Sequence, residues 1–221
     1  MSELKVENVS YRYKNSSRKA LTDVCCSFQA GTVTAVVGPS GSGKTTLLSI
    51  LAGLDRPEEG KILLNGQDLA GKDLDEYRRQ DISIIFQAFQ LFPLLTVMEN
   101  VCYPMELNGL ERAEAQKRAR GLLARMGIGE EKWKRYPANL SGGEQQRVAI
   151  ARSLATGAGI LLADEPTGNL DGKNTTNVME ILTRLAHEDG YCVIIVTHDP
   201  AIAEASDHVY RMTDGVLALA G

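Results

Sequence analysis

An α/β fold with a buried parallel core sheet and an inserted helical segment is predicted by three features of this sequence. Short β-branched apolar runs at Thr32–Val37, Asp81–Phe86, Ile160–Ala163 and Cys192–Val196 alternate with stretches of helical periodicity. The first of these runs leads directly into Gly38-Pro39-Ser40-Gly41-Ser42-Gly43-Lys44-Thr45, which matches G-x-x-x-x-G-K-[ST] at every position. Residues from about Ala88 to Thr156 read as mainly helical, whereas the chain on either side alternates strands with helices.

Composition sets the outer bounds. The 221 residues are 43% hydrophobic, enough for a packed core in one domain with a subdomain. With 24 basic and 28 acidic side chains the net charge is -4, so no nucleic-acid partner is expected from the charge balance. The opening Met-Ser-Glu-Leu-Lys-Val has no apolar signal region and no apolar run is long enough to span a bilayer, which predicts a cytoplasmic chain. Cys25, Cys26, Cys102 and Cys192 have neither zinc nor disulfide spacing and are read as core-filling thiols.

Taken in order, Leu4 to Val9 begins a strand, followed by Tyr11-Arg12-Tyr13 and a polar turn from Lys14 to Lys19. Either tyrosine could stack on an adenine ring, and either could be an ordinary half-buried strand residue. Leu21 to Phe28 reads as a second strand. Gly38, Gly41 and Gly43 then let successive N–H groups turn inward around an anion. Lys44 supplies a point charge to the outer phosphates, and the Thr45 hydroxyl is a ligand for a hydrated magnesium ion. The helix after the loop, with Leu47, Leu48, Ile50, Leu51 and Leu54 at helical spacing, aims its N-terminus at that anion. The pattern therefore predicts binding of a nucleoside triphosphate.

Lys61–Leu64 is a short strand that ends at the turn signal Asn65-Gly66. Gln87 stands at the end of the strand at 81–86, where a polar side chain can face a ligand. Phe89, Leu91, Phe92, Pro93, Leu94 and Leu95 then form an apolar loop that could be core or a docking surface. Thr96-x-x-Glu99 is a capping box, and Glu111 to Met126 is a helix with a charged, solvated face. Leu140-Ser141-Gly142-Gly143-Glu144-Gln145-Gln146 opens a further helix. Ser141 can cap it and the two glycines leave amides accessible, so it looks like a second anion site. On this helix Arg147 and Arg152 fall on polar positions.

The strand at 160–163 delivers Asp164 and Glu165 at its carboxyl end. Beside a phosphate loop, the first can hold magnesium through water and the second can polarise an attacking water. Gly168-Asn169-Leu170-Asp171 turns into a helix, and the strand at 192–196, predicted to lie beside the 160–163 strand, ends at Thr197-His198-Asp199. A short helix near Ala201 to Ala205 and a hairpin on Asp214-Gly215 close the chain.

This set of motifs resembles the ATP-binding cassette (ABC) ATPase family over essentially the whole chain. Leu140-Ser-Gly-Gly-Glu-Gln-Gln-Arg147 is similar to the family signature. The resemblance implies a phosphate-loop NTPase with a mostly parallel core sheet, an N-terminal antiparallel β subdomain (both within 1–87 and 157–221) and a helical signature subdomain at 88–156. It implies that ATP and Mg2+ are bound and ATP hydrolysed, with Tyr13 stacking on adenine, Gly38 to Thr46 around the phosphates and Gln87 sensing magnesium and the attacking water. It likewise makes Asp164 the magnesium carboxylate, Glu165 the catalytic base, Asp171 the dimer-facing loop aspartate and His198 the switch histidine. Two copies would pair head to tail, each ATP held between one phosphate loop and the other copy's Ser141, Gly142 and Gly143. Phe89 to Leu95 would receive an integral-membrane permease, which would place the protein peripherally on the cytoplasmic face of the membrane.

Within the family the motifs are most similar to the lipoprotein-releasing, macrolide-export and antimicrobial-peptide-resistance group, which implies export or extraction from the membrane. The alternative is a regulatory ATPase of the cell-division type, signalling through a membrane protein to cell-wall enzymes. A DNA-repair or translation ATPase is disfavoured: the interval from Lys44 to Ser141 is too short for a long coiled coil, and the charge is negative.

Overall fold

The computed structural model describes residues 3–14 and 16–220. Met1, Ser2, Gly221 and one residue of the polar turn, Asn15, lie outside the described residues. The chain begins with β1 (Glu3–Tyr11) and β2 (Leu21–Gln29), and β3 (Val33–Val37) passes through the glycine loop into α1 (Lys44–Leu51). It continues through β4 (Glu59–Leu64), β5 (Gln67–Asp68), α2 (Leu74–Gln80) and β6 (Ile82–Phe86). Three helices follow, α3 (Val97–Leu107), α4 (Arg112–Arg125) and α5 (Gly142–Leu154), all within 88–156. The remainder is β7 (Ile160–Asp164), α6 (Gly172–His187), β8 (Cys192–Thr197), α7 (Pro200–Glu204), β9 (His208–Thr213) and β10 (Val216–Leu219).

Two sheets result. A four-stranded antiparallel sheet has the order β2-β1-β4-β5, and a six-stranded sheet has the order β10-β9-β3-β8-β7-β6. The latter is parallel except for β10, which folds back on β9 through Asp214-Gly215. Both predicted hairpin turns have left-handed backbone at both central residues (φ 50° and 79° at Asn65-Gly66, 50° and 81° at Asp214-Gly215), which matches the twist of the strands they join. β8 lies between β3 and β7, so the strand ending at His198 does lie beside the strand ending at Asp164.

The core sheet is covered on both faces, which is why β8 is buried at every position. On one face it packs with α1 and the antiparallel sheet, in a cluster that includes Leu4, Phe28, Leu47, Leu51 and Ile194. On the other it packs with α3–α6 in a cluster running from Ile85 and Leu161 through Val101, Leu123 and Ile150 to Leu182. The helices of 97–154 thus share one continuous apolar cluster with the sheet.

Several sequence expectations are corrected here. Cys25 is exposed, because adjacent strand residues point to opposite faces and Cys26 takes the buried one; Cys102 and Cys192 are buried as expected. Arg152 is not a solvated face residue. It is largely shielded, donating from Nη1 to the Gln90 carbonyl (2.5 Å) and from Nη2 to the Phe89 carbonyl (3.2 Å), and burial lowers its pKa. The helix α2 had no periodic signal. It is held by a cap, the Asp73 carboxylate accepting from Asp75 N–H at 2.8 Å, and by Tyr77, buried with its hydroxyl donating to the Leu51 carbonyl at 2.7 Å.

Candidate functional site

The carboxyl end of the parallel strands forms a cleft of about 710 Å³, lined by Tyr13, Pro39, Ser40, Gly41, Gly43, Lys44, Thr45, Thr46, Asp164, Glu165 and His198 among others. A larger groove of about 930 Å³ runs beside α6 and α7, but it contains none of the predicted site residues. Size does not select the site; the chemistry of the lining does.

The glycine loop is fixed from behind. A Cβ on Gly38 would lie 2.2 Å from the Met212 carbonyl oxygen, and one on Gly43, at φ 110°, would lie 2.6 Å from the Ala20 carbonyl oxygen. Close backbone contact with β9 and with the start of β2 therefore demands glycine at both positions. The amides of Ser40, Gly41 and Gly43 make no backbone hydrogen bond among the described residues, and the Ser42 hydroxyl oxygen is buried without a partner. This is a cradle of unspent donors, suited to a polyphosphate. Lys44 is buried, its ammonium donating to the carbonyls of Gly38 (2.7 Å) and Pro39 (2.9 Å). Those weak acceptors hold the charge at the loop without neutralising it.

β7 and β8 supply the opposite wall. The Asp164 carboxylate makes no hydrogen bond or ion pair among the described residues, and burial first, then the neighbouring Glu165 charge, raise its pKa against the opposing pull of Lys44. An oxygen ligand of this kind beside the Thr45 hydroxyl fits a magnesium ion that keeps most of its water. Glu165 has a left-handed backbone (φ 45°) for a non-glycine residue, a strain of about 1–3 kcal/mol of the kind that gathers at functional sites. Its carboxylate accepts from Thr197 Oγ1 at 2.9 Å and pairs with His198 Nδ1 at 2.7 Å. An ionised carboxylate only accepts, so this pairing puts the imidazole proton on Nδ1.

Tyr13, not Tyr11, faces the cleft. It is 48% exposed, its hydroxyl is 2.9 Å from Thr46 Oγ1, and Tyr11 packs edge-on against its ring at 5.1 Å. The remaining sequence candidates lie outside the cleft lining. Gln87 is turned to the loop before α6, with Nε2 at 3.5 Å from Asn169 Oδ1 and its carbonyl accepting from Asn169 Nδ2 at 3.0 Å. Ser141 caps α5 in a reciprocal box with Glu144. Asp171 caps α6 by accepting from the Asn174 N–H at 2.9 Å, and Asn174 fills the space beside Gly143, where a Cβ would meet its Oδ1 at 2.1 Å. Ser141, Gly142, Gly143 and Asp171 therefore form a second group, apart from the first.

Sequence reading missed the residue that shapes the apolar loop. Asn100 is fully buried in α3; it accepts from Phe92 N–H (2.8 Å) and donates to the carbonyls of Phe92, Leu95 and Thr96 (3.1, 3.0 and 3.0 Å). The loop it ties down leaves Leu94 86% and Phe92 41% exposed, with the Phe92 ring 4.9 Å from that of Tyr103 and 5.6 Å from the Arg152 guanidinium.

Comparison with known proteins gives a consistent answer. A family model described as ABC transporter matches residues 21–168. The lipoprotein-releasing system ATP-binding protein LolD of Shewanella sp. (strain MR-4) is 43% identical over 97% of this chain and 94% of its own length. The macrolide export ATP-binding/permease protein MacB of Shigella flexneri is 44% identical over 96% of this chain, which spans 33% of that protein. A bacterial ABC transporter cassette solved as a dimer superposes with a TM-score of 0.87 at 39% identity, covering 97% of this chain and 96% of that one. Its post-hydrolysis state, bound to ADP and Pi, superposes with the same TM-score at 38% identity over the same shares.

Proposed function

The chain belongs to the ABC transporter ATPase family, and from that premise we propose that it is the motor of a membrane exporter or extractor, working through a permease docked at Phe89–Leu95. As a family member it is an ATPase that binds ATP with Mg2+. The finer reading is that two copies close head to tail, with both ATP molecules held between one copy's cleft and the other's Ser141, Gly142 and Gly143. The named relatives suggest a lipoprotein or a macrolide-like compound as the substrate, and the motif resemblance adds an antimicrobial peptide.

In this reading each residue has a task set by its surroundings. Tyr13 offers an aromatic face to adenine. Lys44 and the amides from Ser40 to Thr46 orient the phosphates, and Thr45, Asp164 and Gln87 would hold Mg2+, which offsets phosphate charge when bound. Glu165 takes a proton from water, its two oxygens fixed by Thr197 and His198 so that an acceptor faces the cleft. Gln87 has to swing from Asn169 towards the cleft, and Asp171 faces the partner copy. Hydrolysis cuts the γ-phosphate from the nucleotide, release of inorganic phosphate takes the bridging charge away, and the two copies separate.

The observation that carries the coupling is the apolar loop: Leu94 stands almost fully in solvent on a segment that Asn100 holds rigid. No helix among the described residues is long and apolar enough to cross a membrane; in this reading the permease supplies the spanning element. The test is a crosslinked pull-down from native membranes with the tagged Glu165→Gln protein held closed by ATP. Recovery of a permease with few spans and a large extracytoplasmic domain is expected. Recovery of only soluble proteins or nucleic acid would overturn the transporter reading, and a partner that gates a cell-wall enzyme would favour the regulatory one.

A further inference from the structure

The start of α5 carries a charge at odds with the role proposed for it. Glu144 Oε2 accepts from the Ser141 N–H at 2.8 Å and from the Ser141 hydroxyl at 3.0 Å. A carboxylate is therefore fixed within hydrogen-bond reach of the group assigned to meet a phosphate from the partner copy. An uncompensated anion there would repel that phosphate.

The compensation comes from outside the motif. Lys132 Nζ lies 2.7 Å from Glu144 Oε1, with both side chains largely shielded (26% and 18% exposed). Glu131, 3.6 Å from the same ammonium, is the more distant and more exposed of its two carboxylate partners. The Lys132 hydrogen bond first, then the Ser141 N–H, pull the Glu144 pKa down to about 2, so that the carboxylate stays charged across the physiological range. The segment bearing Lys132 is itself pinned: Met98 N–H donates to the Trp133 carbonyl (3.0 Å), Val97 N–H to the Arg135 carbonyl (2.9 Å), and the Trp133 indole to the Ile128 carbonyl (3.0 Å). The ammonium is thus held against the cap by the first turn of α3.

We propose that Lys132 is a positioning residue for the signature segment, neutralising Glu144 in place so that Ser141, Gly142 and Gly143 can accept an anionic phosphate across the dimer interface. This rests on the head-to-tail reading. It also explains how an acidic residue can follow the two glycines without defeating them. The capping box needs a carboxylate or amide there, and Lys132 removes the electrostatic cost of the carboxylate.

The test measures ATP-driven dimerisation by analytical ultracentrifugation in the slowly hydrolysing Glu165→Gln background. Lys132→Met is expected to weaken closure about ten-fold, an effect that shrinks as salt is raised. Lys132→Arg should restore it, and so should Lys132→Met combined with Glu144→Gln, because no naked carboxylate then remains. ATP binding to the separated monomer should be unchanged throughout. A loss of packing alone would not be repaired by neutralising Glu144, and were Lys132→Met to fold poorly, Glu144→Gln alone should still close at equal or lower ATP. Unaltered closure in Lys132→Met, or no recovery in the double variant, would overturn the inference. Ser141→Ala separates the two levels. If it weakens closure while Lys132→Met does not, only this inference fails; if it has no effect, the head-to-tail reading fails with it.

Discussion

The cleft around Lys44 and the segment at Ser141–Gly143 are both helix N-termini with exposed amides, yet they are prepared differently. In the cleft, the polar groups face a shared space: Lys44, Glu165 and His198 are held there by hydrogen bonds within their own chain. At the starts of α5 and α6 the polar groups are closed on themselves, Ser141 bonded to Glu144 and Asp171 to Asn174. The first region has its loop, lysine and carboxylates gathered by one chain, with Gln87 still turned to Asn169; the second is capped and stable by itself. Under the proposed head-to-tail pairing, the difference teaches that assembly gates catalysis: the chemistry is gathered in one chain while the closing half is satisfied internally.

The sharpest way to break this comparison is to remove the chemistry and leave both surfaces. Glu165→Gln keeps the hydrogen bond from Thr197 but cannot take a proton, and steady-state turnover is expected to fall by about 10² to 10⁴ with ATP binding retained. Turnover within a few-fold of the parent would remove Glu165 from its role and leave the cleft without a base. A smaller effect follows from the rear contact of the loop. Gly38→Ala drives a methyl into the Met212 carbonyl at 2.2 Å, and because that atom is backbone, β9 or the loop has to shift. A loss of about 1–3 kcal/mol in chemical denaturation of the monomer is expected, together with weaker nucleotide binding. Unchanged stability would mean that the cleft is less rigid than the contact implies.

How much of this was visible in the sequence depended on the range of the interactions. The phosphate loop was legible because its physics is local: glycines, a lysine and a hydroxyl at fixed spacing between a strand and a helix. The paired carboxylates and His198 were legible because parallel strands bring their carboxyl ends to one edge, and β8 does pair with β7. What escaped was decided between elements. Asn100 has no motif, and its importance comes from three carbonyls that converge on it only after α3 forms. Arg152 falls on a polar helical position by periodicity but is covered by the Phe89–Phe92 backbone, which arrives from a distant part of the chain. The seven residues of α2 carry two apolar side chains, too few to show a period, and tertiary burial of Tyr77 fixes them instead. Which of Tyr11 and Tyr13 faces the cleft could not be told from two aromatics two positions apart; β1 ends at Tyr11, and Tyr13 beyond it lines the cleft.

The finest discrimination between the two regions uses a single methyl group on the other side. The atoms nearest a Cβ at Gly142 would be Leu170 Cδ2 and Phe89 Cζ at 3.7 Å and the Asn169 carbonyl oxygen at 3.8 Å, ordinary van der Waals distances, and its φ is not in the left-handed region. Gly142→Ala should therefore leave monomer stability within about 0.5 kcal/mol of the parent, the range of substitutions that disturb no packing. The cleft of the same chain is untouched, so monomer affinity for ATP should also be unchanged. The methyl would matter only where a phosphate has to approach the amides at the start of α5, and its cost should appear solely as weaker ATP-driven dimerisation. If Gly142→Ala closed normally, the amides at 142 and 143 would not be a phosphate seat, and the contrast between a finished half-site and a waiting one would have to be redrawn around Ser141 alone.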